Sequence, residues 1–71
     1  MIVPKAEITN QVRQLRFVHD EMTQQQLADR IGCTRQTIIM LEQGRYVPSL
    51  ALALRIAQVF ETPVEEIFEL A

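Results

Sequence analysis

The segment Thr23–Tyr46, TQQQLADRIGCTRQTIIMLEQGRY, constrains the fold more than any other part of the chain. Thr23 and Gln26 have the spacing of a capping box, in which two side chains satisfy free amide groups at a helix start. Gly32 can supply the left-handed residue that follows a helix end. The segment therefore predicts a short helix that begins after Thr23 and stops at Gly32. Its buried stripe is Leu27, Ala28 and Ile31.

A further helix is predicted directly after this turn. Thr34 can cap it, its residues are 35–43, and Gly44 ends it. Ile38 and Leu41 lie three apart and form its buried side. The other side then carries long hydrogen-bond donors and apolar atoms, which the major groove of DNA can accept. These residues are Arg35, Gln36, Ile39, Met40 and Gln43.

Length and cysteine content limit how the chain can be held together. It has 71 residues, which predicts one domain, and one Cys, which excludes an internal disulfide. No paired Cys/His spacing suggests a structural zinc site. Packing within the chain, a second copy, or both must therefore stabilise it. Because no apolar run reaches the length of a membrane span and the start lacks a signal-peptide layout, we expect a cytoplasmic protein with no membrane partner.

The net charge of −2 is unusual for a protein that binds nucleic acid, but the charges are unevenly distributed along the chain. Residues 1–60 hold seven basic and five acidic groups, which leaves a balance of +2. The remaining acidic groups are Glu61, Glu65, Glu66 and Glu69. Since binding phosphate needs only a local positive potential, we expect this acidic segment, residues 61–71, to point away from DNA.

Three more helices are predicted outside the central segment. The first starts at Thr9 or Asn10 and runs to Val18, and residues 1–7 before it form a short strand or a loose arm. A fourth helix follows its cap, Ser49, and is apolar nearly all round, which predicts a central helix or one that also meets a second subunit. Its two stripes are Leu50, Ala53, Leu54 and Ala57, and Leu52, Ile56, Val59 and Phe60.

The last helix is predicted from a second capping box at the C-terminal end. Thr62 and Glu65 have the required spacing, and Pro63 stands at the first helical position, where its missing donor costs nothing. The apolar side chains that follow predict docking on the domain or on a second copy. They are Ile67, Phe68 and Leu70.

The chain resembles the Cro/CI-like (XRE) family of helix-turn-helix regulators. Leu27, Ala28, Gly32, Ile38 and Leu41 match the spacing of the helix-turn-helix unit, and TRQTIIMLEQGRYVPSLALALRIAQVF and TPVEEIF extend the likeness over nearly all of the chain after residue 10. The resemblance implies a single all-α, five-helix, lambda repressor-like domain over residues 1–71, with its helix-turn-helix unit at 24–43, and it allows short strands at the chain ends. Two departures are a turn at 19–22 about one residue longer than usual, and the arm 1–7.

Two groups of DNA contacts follow from the pattern and the resemblance. Arg35 can pair with guanine and Gln36 with adenine, whereas Ile39 and Met40 either touch thymine methyl groups or are partly buried at the helix edge. The resemblance implies phosphate contacts at Gln24, Thr34, Thr37, Gln43, Arg45 and Tyr46. It also implies that Arg16 pairs with Glu42. Arg13 and Arg30 are basic but can equally be solvated surface.

The remaining polar residues predict no chemistry. Cys33 is expected to be a buried thiol that acts as a hydrophobe, and His19 is assigned no ligand or catalytic role. No nucleophile–base pair, carboxylate pair or phosphate-binding glycine loop is present. We therefore expect no enzyme, no cofactor, no metal and no small-molecule ligand.

These observations predict a DNA-binding transcriptional regulator, acting as a repressor and as a homodimer on a palindromic operator. The acidic C-terminal helix, residues 61–71, is expected to complete the dimer interface with Phe60, Ile67, Phe68 and Leu70. Activation through contact with polymerase is an alternative. Two further alternatives are an antitoxin that binds both DNA and a toxin protein, and a helical protein-interaction module that has no affinity for DNA.

Overall fold

The computed structural model describes residues 8–71, which form five helices and two short strands. In chain order they are β1 (Ile8–Asn10), α1 (Val12–Val18), α2 (Gln24–Ile31), α3 (Arg35–Glu42), α4 (Leu50–Phe60), α5 (Val64–Ile67) and β2 (Phe68–Leu70). The predicted five-helix fold with short strands is thereby confirmed. The arm at 1–7 lies outside the described residues. Within residues 8–71, no helix has the length and apolar character needed to cross a membrane.

The helix α2 begins and ends, and α3 begins, as their local signals predict, whereas α3 ends at Glu42, one residue before the predicted end. The hydroxyl of Thr23 accepts from the amide of Gln26 at 3.0 Å, and the Gln26 side chain accepts from the amide of Thr23 at 2.9 Å. Gly32 ends α2 with φ +76°, a left-handed conformation that glycine adopts without strain. Thr34 caps α3 by accepting from the amide of Thr37 at 3.2 Å. The turn between α2 and α3 is therefore specified within a few residues of itself.

A two-stranded antiparallel sheet joins the two ends of the described chain, with Asn10 opposite Phe68. The helix α1 consequently begins at Val12 rather than at Thr9 or Asn10, because residues 8–10 are extended to pair with β2. The Asn10 side chain accepts from the amide of Val12 at 3.2 Å and donates to the carbonyl of Leu41 at 2.9 Å. The sheet is thus tied to the start of α1 and to the end of α3.

The C-terminal segment differs from the prediction. The predicted second capping box is wrong: the Thr62 hydroxyl donates to the carbonyl of Phe60 at 2.9 Å, and α5 begins after Pro63 without a side-chain cap. Only four residues are helical before β2 begins, so residues 61–71 are not one acidic helix. The backbone groups of residues 68–70 form hydrogen bonds with β1, a partner that local spacing cannot reveal.

One hydrophobic core holds the helices together. It takes residues from α1, α2, α3, α4 and α5, and its largest fully buried side chains are Val12, Leu27, Ile31, Ile38, Leu41, Ile56, Phe60 and Ile67. Only part of the predicted double stripe of α4 is buried: Leu50 and Leu54 are exposed. Because the neighbouring helices lie on one side of α4, this face stays apolar and uncovered within the chain.

Candidate nucleic-acid interface

A buried polar cluster, here called the clasp, fixes α3 against α1 and α2. The Arg16 guanidinium donates to both carboxylate oxygens of Glu42, from Nε at 2.6 Å and from Nη2 at 3.0 Å, and its Nη1 donates to the Met22 carbonyl at 2.8 Å. Gln24 adds a hydrogen bond to Glu42 at 3.1 Å. The side chains of Arg16 and Glu42 are 9% and 8% exposed. The predicted pair is therefore confirmed, and its charges are satisfied inside the protein.

The clasp acts together with apolar packing to orient α3. Ile38 and Leu41 are fully buried, as predicted, and Ala28 on α2 is also fully buried, where its small side chain permits a close approach of the helices. Packing and the clasp together restrain α3. Its exposed side chains therefore project from a helix whose position is set by the rest of the fold, as recognition requires.

Two open depressions border this helix. The first is lined by Arg16, Phe17, Glu21, Met22, Thr23, Gln24, Gln25 and Arg35, and the second by Arg13, Arg16, Phe17, Gln24, Ile39, Glu42 and Gln43. Arg35 and Ile39 of α3 and Gln43 at its C-cap line them at intervals of four residues and thus follow one line along the helix, and Glu42 of α3 also lines the second depression. Phe17 and Gln24 line both depressions. The surface beside α3 therefore includes side chains of α1 as well as those of the helix-turn-helix unit.

The four predicted base-contacting residues all lie on α3 but differ in exposure. Arg35 and Gln36 are exposed in its first turn. Ile39 and Met40 are half-buried, so the expected partial burial at the helix edge is observed, and some of their apolar surface remains open. The guanidinium of Arg35 and the side-chain amide of Gln36 are therefore accessible to an external partner.

The predicted phosphate contacts occupy three environments. Thr34, Gln43 and Arg45 are exposed, whereas Thr37 and Tyr46 are half-buried and Tyr46 packs against the core. The hydroxyls of Thr34 and Thr37 are hydrogen-bonded to each other at 3.0 Å. Gln24 is half-buried and gives one amide hydrogen to Glu42, which leaves its other polar sites for a ligand.

The predicted dimer residues do not form one exposed surface. Phe60 and Ile67 are 2% and 1% exposed, because both side chains are buried in the chain's own core. Phe68 is half-buried against that core. Leu70 is 74% exposed. Of the four residues, only Leu70 and part of Phe68 can meet another molecule, since the end of the chain folds back onto β1.

Sequence reasoning did not find the contribution of α1 to this surface. The sequence pattern indicates no role for Phe17 and does not distinguish a basic contact from solvated surface for Arg13. Their spacing of four residues places both on one helix face, which is the signal that could have linked them. The acidic residues that line the depressions are Glu21 and Glu42, and none of the four glutamates of the C-terminal segment lines either one.

Cys33 and His19 have local structural roles. Cys33 is half-buried against the core, and this burial raises the pKa of its thiol above the ordinary value of 9.0. The His19 ring lies edge-on to Phe60 with centroids 5.0 Å apart, and its Nδ1 is 2.9 Å from the carbonyl oxygen of Leu15. In residues 8–71, no group of three or more His, Cys, Asp or Glu could hold a metal ion.

These features define a small helix-turn-helix protein, and comparison with known proteins agrees. The Helix-turn-helix family model matches residues 12–67. An uncharacterised HTH-type transcriptional regulator of Archaeoglobus fulgidus is 55% identical over 47 residues, which cover 66% of each chain. Another, from Methanocaldococcus jannaschii, is 46% identical over 59 residues, which cover 83% of this chain and 88% of that one.

The fold has a counterpart among solved structures. A protein of Bacteroides fragilis whose name suggests DNA binding superimposes on this chain with a TM-score of 0.74 at 18% sequence identity. The superposition covers 87% of this chain and 98% of that protein. The chain belongs to the XRE-type helix-turn-helix family of DNA-binding transcriptional regulators. This family is a class of regulators and not of enzymes.

Proposed function

We propose that this protein acts in the cytoplasm as a homodimer that occupies a palindromic operator in promoter DNA. Occupation of the operator represses transcription. The observation that carries the proposal is the pair of exposed donors Arg35 and Gln36 in the first turn of a helix held by the clasp. In a helix-turn-helix protein this end of the recognition helix enters the major groove. A bound dimer covers promoter DNA and so blocks access of polymerase.

The contacts in this proposal fall into two classes. Arg35 reads guanine, Gln36 reads adenine, and the open apolar surface of Ile39 and Met40 meets thymine methyl groups. Phosphate contacts set the register of the protein on the duplex but do not read sequence. They are assigned to Gln24, Thr34, Thr37, Gln43, Arg45 and Tyr46.

The proposed homodimer uses the outer edge of β2. Within residues 8–71 the sheet has two strands, so β2 pairs on one edge with β1, and its other edge has unpaired backbone groups. A second copy can pair with that edge across a two-fold axis, where Leu70 and the open part of Phe68 meet their counterparts. Such a dimer should place two recognition helices about 34 Å apart, one turn of DNA.

Selection of bound sites from a random duplex pool at near-physiological salt tests the DNA-binding proposal. The wild-type protein should enrich a palindrome. The double variant Arg35→Ala/Gln36→Ala should show weaker base preference within it, because each bidentate base contact gives about 1–3 kcal/mol of discrimination. Enrichment of no sequence, with no DNA binding even at low salt, would support the interaction-module alternative. Specific capture of a toxin encoded beside the gene would support the antitoxin alternative.

Sedimentation equilibrium tests the dimer separately. Leu70→Ser should weaken self-association, because it removes apolar surface from the proposed contact. Val18→Ser is the matched control, since Val18 is 78% exposed on α1 and lies outside the proposed interface. A dimer that is unaffected by Leu70→Ser would place the two-fold contact elsewhere.

A further inference from the structure

The α1 helix adds a cation to the surface beside α3. We propose that Arg13, positioned by Phe17, is a further DNA phosphate contact, so that the interface extends from the helix-turn-helix unit onto α1. This inference rests on the proposed DNA-binding function and assigns a role to two residues outside the 24–43 unit. Three observations support it: the position of Arg13, the local charge, and the aromatic ring beside its guanidinium.

Arg13 lines the second depression together with predicted DNA contacts from two other helices. Gln24 comes from α2, Ile39 comes from α3, and Gln43 is the C-cap of α3. Gln24 and Gln43 are assigned to phosphates, and Ile39 to a base. A DNA strand whose phosphates meet the two glutamines therefore passes beside the position of Arg13.

The charge of Arg13 is not neutralised by the residues around it. The only carboxylate that lines this depression is Glu42, and its two oxygens accept hydrogen bonds from Arg16 and Gln24. In residues 8–71, no carboxylate lies within 4.0 Å of the Arg13 guanidinium, since the ion pair found there is Arg16–Glu42. Arg13 therefore gives the depression a net positive charge, which attracts a phosphate group.

Phe17 restricts where this cation can be. The guanidinium carbon of Arg13 lies 5.7 Å from the centroid of the Phe17 ring, and that of Arg16 lies 5.8 Å from the same centroid. Phe17 is 55% exposed, so its ring is available on the surface. A cation–π contact at such a distance holds an arginine near one place and lowers the entropy lost when it binds a ligand.

This arrangement suits phosphate rather than a base. A guanidinium can donate two parallel hydrogen bonds to phosphate oxygens, and it keeps its charge at any physiological pH. Base reading belongs to the first turn of α3 in the proposed function, whereas Arg13 is on α1. Its expected contribution is therefore to affinity and salt dependence, with no change in the sequence that is preferred.

The test is the salt dependence of binding to the selected operator, measured for the wild type, Arg13→Gln and Arg30→Gln. Loss of one phosphate contact should reduce the slope of log K against log salt by about 0.9 per protomer, and affinity at 0.15 M salt by about fivefold per contact. Arg30 is the matched control because it is also an exposed helical arginine but lines neither depression. Arg13→Lys should keep most of the slope.

A second variant tests the role of Phe17 as a positioning residue. Phe17→Leu should lower operator affinity in the wild-type background by less than Arg13→Gln does, and should have no further effect when Arg13 is already Gln. An unchanged salt slope in Arg13→Gln, or equal losses in Arg13→Gln and Arg30→Gln, would overturn the inference while the proposed function stands. If the wild type binds no DNA, the proposed function itself fails.

Discussion

The clasp and the outer face of α3 use the same kinds of side chain in opposite ways. In the clasp, the guanidinium of Arg16 is buried and donates to Glu42 and to the Met22 carbonyl. On the outer face, the guanidinium of Arg35 is exposed and donates no hydrogen bond to any residue from 8 to 71. A buried charge must be paired, since leaving it unpaired is costly, whereas an exposed one keeps its donors for another molecule.

The comparison shows how a very small domain separates stability from recognition. Its total stability is expected to be roughly 4–10 kcal/mol, so one broken buried pair is a large fraction of it. Changes on the outer face, which touch no internal partner, should alter binding and leave folding almost intact.

Glu42→Gln should have the largest effect on folding. It should lower the free energy of unfolding by about 3 kcal/mol, because the Arg16 charge stays buried without its counter-ion. Urea denaturation followed by circular dichroism at low temperature measures this change. Arg35→Ala is the control and should shift stability by no more than about 0.5 kcal/mol. A loss below about 1 kcal/mol for Glu42→Gln would mean that the clasp is solvated and that the comparison does not hold.

The matched pair Thr34→Ala and Ser49→Ala should give a smaller change and sharpen the comparison. Thr34 caps α3, and Ser49 caps α4 by accepting from the amide of Leu52 at 3.1 Å. Each substitution should cost about 1 kcal/mol of stability. Only Thr34→Ala should also weaken DNA binding, as a gel-shift titration under folding conditions can measure. Equal binding by the two variants would show that the Thr34 hydroxyl acts only as a cap.

Substitution of Cys33 should cost no more stability than the loss of a cap. Cys33→Ser is expected to lower the free energy of unfolding by about 1 kcal/mol, because a hydroxyl beside the core needs a partner, and Cys33→Ala by less. Burial raises the pKa of the Cys33 thiol in the folded state above 9.0. The neutral thiol therefore contributes to stability below about pH 9.0, and this contribution is lost as the pH rises further. Alkylation at pH 8 should therefore be slower in the folded protein than in denaturant, and equal rates would contradict this.

Exposure of individual side chains was less predictable than the helices themselves. For Ile39 and Met40 the sequence does not decide between contact with DNA and partial burial, and their half-burial reflects how closely α3 packs on its neighbours. Gln24 was predicted as a phosphate contact, but nothing local suggests that its amide binds Glu42, eighteen residues away. Phe60 and Ile67 were predicted to lie in a dimer interface, because apolar side chains near a chain end need to be covered and the sequence does not indicate whether the chain's own core or a second copy covers them.

Local sequence signals specify α2, the turn at Gly32, α3 and α4, because the caps and ends of these helices depend on hydrogen bonds that span three or four residues. The folded structure determined where α1 begins, how short α5 is, and how the ends pair as strands, since these features depend on contacts such as that of Thr9 with Glu69, sixty residues apart. It also decided that Arg13 and Phe17 lie beside α3. Such contacts form only when the core brings distant segments together, so no local spacing encodes them.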